Sequence, residues 1–202
     1  MKKRYILLIL FFIFLLPALA GISFTGRVTD SGTYSLFEDK EQQKEFIITK
    51  SPEEMLPSRS EIPTEFTMGT IEDMRFFKIP NGLEAAKTIS LNKIVGRYII
   101  GMIVADLSVA KFSTSDDAEA YYQKVVDKVK KEGGYSKVNV HVSPITKCFS
   151  FSQDYGFTAS FATSYCHKAN VYFEVQITAT QTYEKPSKYL QSMVSIIDKK
   201  AY

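Results

Sequence analysis

Two histidines and two cysteines hold most of the chemistry open to this 202-residue chain. His141, Cys148, Cys166 and His167 are ligand types suited to zinc or copper, but they lack the repeated C-x2-C or H-x3-H spacing of a metal motif. In an exported chain two cysteines are the minimum for one disulfide, so a Cys148–Cys166 bridge is the expected state. A small metal-dependent hydrolase or metalloprotein using the same four residues is the alternative. Ser90-Leu91-Asn92-Lys93 matches the S-x-x-K string of serine acyl-enzymes, yet Ser115-Asp116-Asp117 and Lys87-Thr88-Ile89 only imperfectly echo the S-D-N and K-T-G elements such enzymes need. Asp116/Asp117 belong to a helix start, and Glu53/Glu54 to a Pro-bounded turn. No G-x-S-x-G, H-E-x-x-H, phosphate-loop or dinucleotide fingerprint occurs. No catalytic residue, metal ligand or cofactor is therefore assigned, and a non-enzymatic role is expected. Tyr121, Tyr122, Phe149, Phe151 and Phe161 could line an apolar pocket between a helix and a sheet, although the same side chains are needed to fill a core.

The first twenty residues set where these groups work. Met1-Lys2-Lys3-Arg4 is cationic, Tyr5–Leu16 is an unbroken apolar run, and Pro17 with Ala18-Leu19-Ala20 completes the pattern of a secretory leader cleaved before Gly21. The run is short for a span that must cross about 30 Å of hydrocarbon, and retention of 1–20 as a single anchor is the alternative. Without Lys2, Lys3 and Arg4, the 25 basic residues become 22, equal to the 22 acidic ones. A chain of zero formal charge with only short basic spots is not built to bind nucleic acid.

Residues 21–63 read as a polar spacer punctuated by Pro52, Pro57 and Pro63, with folded decoration of the main body as runner-up, and residues 64–202 read as one domain. Phe66–Ile79 could hold a strand before the Asn81-Gly82 turn. Lys93–Phe112 reads as one long strand bent near Gly101 or Asp106. Ser113-Thr114-Ser115 and Asp116/Asp117 start a helix whose apolar stripe is Ala118, Tyr121, Tyr122, Val125, Val126 and Val129, and Gly133-Gly134 stops it. Alternation in 138–142, 149–152, 157–161 and 171–178 predicts four strands with one apolar face. Pro186 opens a last helix with Leu190, Met193, Val194 and Ile197 inward. The expected fold is α+β: a one-sided antiparallel sheet of about five or six strands with both helices on one face. A hairpin through Gln153-Asp154-Tyr155-Gly156 that pairs Phe151 near Phe157 would set Cys148 about 20 Å from Cys166. A bridge then requires that 163–170 fold back or that the hairpin loop be longer.

A strand such as Val104–Phe112, then Ser113-Thr114-Ser115-Asp116-Asp117-Ala118 entering a helix, then a meander and a closing helix, resembles the PsbP/Mog1-like α+β domains of small exported proteins and lipoproteins. The resemblance implies an accessory or binding module and carries no site residue. The sequence thus points to a secreted or cell-envelope module whose partner is an envelope protein or a small apolar ligand, touching membrane only through residues 1–20 if these are retained. A membrane-anchored assembly subunit is the further alternative.

Overall fold

The computed structural model describes residues 46–96 and 101–202. The expected leader, and the spacer as far as residue 45, lie outside the described residues. The described chain runs through helix α1 (Pro52–Met55), a 3-10 turn (Arg59–Glu61), strands β1 (Thr67–Asp73), β2 (Leu83–Val95) and β3 (Gly101–Phe112), helix α2 (Ser115–Glu132), strands β4 (Ser136–Lys137), β5 (Lys147–Asp154), β6 (Ala159–Lys168) and β7 (Val171–Thr180), and helix α3 (Ser187–Lys200). The strands form one antiparallel sheet in the order β1-β2-β3-β7-β6-β5-β4.

Each face of the sheet carries one helix, which corrects the expectation of a one-sided sheet with both helices together. Leu190, Met193, Val194 and Ile197 of α3 pack in one cluster with Ile103, Ala105, Leu107 and Val109 of β3 and Val171, Phe173, Val175 and Ile177 of β7. Ala118, Tyr122 and Val126 of α2 pack in a second cluster with Ala110, Phe112 and Tyr172. Successive strand residues point to opposite faces, so the two helices lie on opposite sides. The reason is register. Phe149 pairs with Tyr165 and Tyr165 with Glu174, whereas Ser164 pairs with Val175. The apolar row of β5 therefore shares a face with the polar row of β7.

Several boundaries also differ from expectation. The apolar stretch 93–112 is a hairpin: Val95 pairs with Gly101, and Gly96 takes a left-handed φ of 98° that glycine adopts without strain. Strand β2 and the count of seven strands follow from that reversal. The pairing with β5 ends at Val138, whose N–H donates to the Ser150 carbonyl at 3.0 Å, so the valines at 138, 140 and 142 do not form the expected strand. They are half-buried against the α3-side core, while the Gln191 amide of α3 takes the place of a neighbouring strand by accepting from the His141 N–H at 2.7 Å and donating to its carbonyl at 2.8 Å.

Residues 46–63 belong to the body rather than to a spacer. Ile48, Met55, Leu56 and Ile62 are buried in the α3-side core. Asn170 clamps the segment, accepting from Ile48 N–H at 2.7 Å and donating to the carbonyls of Ile48 and Phe112. Ser51 and Glu54 cap α1 reciprocally. Lys168, wholly buried, donates to the Asp198 carbonyl at 2.8 Å and carboxylate at 3.1 Å. Burial opposes the charge on Asp198, but the Thr146 hydroxyl, the Ser143 amide and Lys168 together hold its carboxyl below the ordinary range. That network fastens the end of α3 to β6.

Candidate functional site

Helix α2 starts as the sequence requires: Thr114 Oγ1 accepts from Asp117 N–H at 3.1 Å, and Gly133, φ 65°, ends it. It leaves the end of β3 and leads to β4 at the far edge of the sheet, so it crosses its face and covers only part of it. Under the covered part lies an aromatic layer. Tyr121 meets Tyr172 edge-on at 4.9 Å and Phe112 at 5.6 Å; Phe149, Phe151 and Tyr165 continue the layer, joined by Tyr135. Tyr122 stacks on His167 at 6.0 Å. His167 is buried, and among the described residues no partner in full hydrogen-bond geometry is found for either ring nitrogen, although the Ala169 and Ser115 backbone lies close. Burial pulls its basicity below the ordinary histidine value, and the nearby Ala169 backbone and Glu119 carboxylate only partly restore it.

Beyond the helix the same face becomes polar. Register sets Ser108 beside Thr88 and Glu174, Asp106 beside Ser90 and Gln176, and Thr163 beside Gln176. Ser108 Oγ donates to Thr88 Oγ1 at 2.9 Å, the Ser90 hydroxyl donates to Asp106, and Tyr172 O–H donates to Glu174 at 3.1 Å. Burial raises the Glu174 carboxyl above the ordinary range; the Asp106 charge adds to this, against the pull of the Tyr172 hydroxyl. Among the described residues no ion-pair partner is found for Glu174.

Where the aromatic layer meets the polar face, a groove of about 250 Å³ opens between the end of α2 (Val129, Glu132, Gly133) and a floor of Phe151, Phe161, Thr163, Tyr165 and Gln176. Of the five aromatic residues expected at a pocket, Phe151 and Phe161 line this groove. Tyr121 borders a separate cleft beside the 78–81 loop. Tyr122 and Phe149 fill the layer beneath the helix. Thr163, Tyr165 and Gln176 were not singled out from sequence, because only the β5–β6–β7 register places them with Phe151.

The four metal-ligand candidates are not brought together. Cys148 and Cys166 form a disulfide with Cα atoms 4.2 Å apart, and Cys166 and His167, as neighbours on β6, face opposite sides. Asp154 pairs with Ser160, so the hairpin loop starts later than expected, Phe151 meets Thr163, and the two cysteines fall opposite each other. Among the described residues no group of three or more His, Cys, Asp or Glu side chains is arranged to hold a metal ion. No helix among them is long and apolar enough to cross a membrane.

These features define a class: an α+β domain whose antiparallel sheet has a helix on each face, closed by one disulfide. Among solved structures the chain is similar to the extracellular domain of PknH from Mycobacterium tuberculosis, with a TM-score of 0.52 and 16% identity over 74% of this chain and 94% of that one. At that identity the similarity establishes the fold alone. No protein-family model matches the chain, the PsbP/Mog1-like domains included, and no curated protein matches it.

Proposed function

We propose that this protein is an exported, non-enzymatic binding module of the cell envelope that holds a small ligand in the groove beside α2. The leader-like residues 1–20, the Cys148–Cys166 disulfide and the similarity to a domain named as extracellular support the location. The observation that carries the binding role is Glu174. A carboxyl group for which no cationic partner is found among the described residues sits on a half-covered sheet face, where burial favours its neutral form, next to a groove with aromatic walls and amide and hydroxyl groups on its floor. Side chains held at a cost to the fold cluster at sites of function. The lining suits a compact ligand with one apolar face, which stacks on Phe151, Phe161 and Tyr165, and with hydrogen-bond donors that reach Glu174, Gln176 and Thr163.

Native mass spectrometry of the protein purified from its own envelope, together with amide resonance mapping against a set of sugars, amines and aromatic acids, tests this reading. Perturbations centred on Thr163, Tyr165 and Gln176, abolished by Val129→Trp, are expected. Binding that survives the filled groove, or perturbations confined elsewhere, contradicts it.

A further inference from the structure

Phe77 and Ile79 project into water: Phe77 is fully exposed and Ile79 is 72% exposed. They lie in the connection between β1 and β2, and the register fixes which end of the sheet this is. Leu83, which follows the connection, pairs with Phe112, and Lys111 pairs with Val171, which pairs with Lys168. Phe46 and Ile47, both exposed, enter at this end beside Asn170, and exposed Ile145 sits in the turn just before β5. Exposed apolar side chains also occur at the other end of the sheet, among them Ile94 and Tyr183, and single ones need no explanation. What sets Phe77 and Ile79 apart is that two of the most exposed stand on one loop.

Charges of both signs stand at this end: Asp73 and Glu84 pair with Lys87 and Lys111 and Asp116 is exposed, whereas the charges nearest Phe77 are basic. Arg75 and Lys78 flank Phe77 and are exposed, and among the described residues neither has an ion-pair partner. Behind the loop a cleft of about 260 Å³ is lined by Lys78, Asn81, Asp117, Tyr121 and Lys124. Its one acid, Asp117, is engaged by the hydroxyls of Thr114 at 2.7 Å and Ser113 at 3.4 Å. Apolar tips beside basic groups match the interfacial layer of an anionic bilayer, where the tips enter the acyl boundary and the cations meet headgroups.

We propose that this end of the protein docks on an anionic lipid surface, with Phe77 and Ile79 inserted and a headgroup phosphate held between Lys78 and Lys124. The proposal rests on the envelope location argued above but not on the groove or its ligand.

The chain has no tryptophan, so a single introduced indole reports one place. Full-length Phe77→Trp is mixed with phosphatidylcholine vesicles containing a minor fraction of phosphatidylglycerol, and Tyr183→Trp, exposed beyond β7 at the other end of the sheet, is the control. Circular dichroism confirms that each variant is folded. The docked state predicts a blue shift and quenching by brominated lipid for Phe77→Trp alone. It also predicts at least about a tenfold weaker vesicle affinity for the response when Ile79→Ser or the pair Lys78→Gln/Lys124→Gln is added, and a weaker response in pure phosphatidylcholine. An unchanged Phe77→Trp spectrum overturns the proposal and leaves a protein partner as the occupant; equal shifts at both positions overturn it as non-specific adsorption. A protein found inside the cell would overturn the envelope location while leaving the vesicle result intact.

Discussion

Removing the disulfide with Cys148→Ala/Cys166→Ala tests how the sheet holds the groove. The bridge closes a segment with a sequence separation of 18 residues, and cross-linking a loop of that length restricts the unfolded chain by about 3 kcal/mol. For a body of this size, about 6–12 °C of melting temperature follows. The sulfurs lie on the α3 side of β5 and β6, while Phe151, Phe161, Thr163 and Tyr165 of the same two strands form the groove on the other side. The double variant should therefore lose stability globally and exchange its β5 amides faster than those of β3. Urea unfolding of oxidised, reduced and double-alanine protein, with thiol titration of the native chain, gives the comparison. A loss below about 1 kcal/mol would refute the chain-entropy argument, and a free thiol in the native protein would refute the pairing itself.

Glu174→Gln should be more stable than the parent at neutral pH. The folded state raises this carboxyl and so favours its protonated form, which means that ionisation above the unfolded value works against the fold. The advantage should vanish near about pH 3, where both states hold the proton, and urea midpoints across pH read it. Lys168→Met leaves Asp198 buried without its cation and should cost about 3–5 kcal/mol, largely recovered in Lys168→Met/Asp198→Leu; equal stability of the single variant would show that the pair contributes nothing. Folded His167 resists protonation, so the unfolded chain binds the extra proton as pH drops below the ordinary histidine value of 6.5. Stability should fall with falling pH in that window until the folded imidazole itself protonates, and His167→Phe should flatten the slope while keeping the stack on Tyr122.

The helices were legible from short-range chemistry. The Thr114 cap, the acids after it and Gly133 bound α2, and the stripe Leu190, Met193, Val194 and Ile197 is the buried side of α3. Which face of the sheet each helix covers was not legible. Alternation within a strand marks two faces, but only cross-strand register says which face of β5 matches which of β7, and a register shift of six residues in the β5–β6 hairpin also hid how Cys148 reaches Cys166. The β2–β3 reversal was hidden inside the mostly apolar stretch 93–112, where Gly96-Arg97 is a weak turn signal between Ile94-Val95 and Tyr98-Ile99-Ile100. Residues 46–63 bury Ile48, Met55, Leu56 and Ile62 as single anchors without a period, so polarity and prolines outweighed them in the sequence. The groove was half visible: Phe151 and Phe161 stood out as aromatic residues, whereas Thr163 and Gln176 gain meaning only from their neighbours across the sheet.

The claim on which the groove depends is that α2 and α3 lie on opposite sides of the sheet. Spin labels at Lys128 of α2 and Ser192 of α3, both exposed, measure it by double electron–electron resonance. Two helix layers of about 10 Å on either side of a sheet put the labels roughly 30 Å apart or more. Helices packed side by side on one face, with axes about 8–10 Å apart, would bring them within about 20 Å, and that shorter distance would contradict the account.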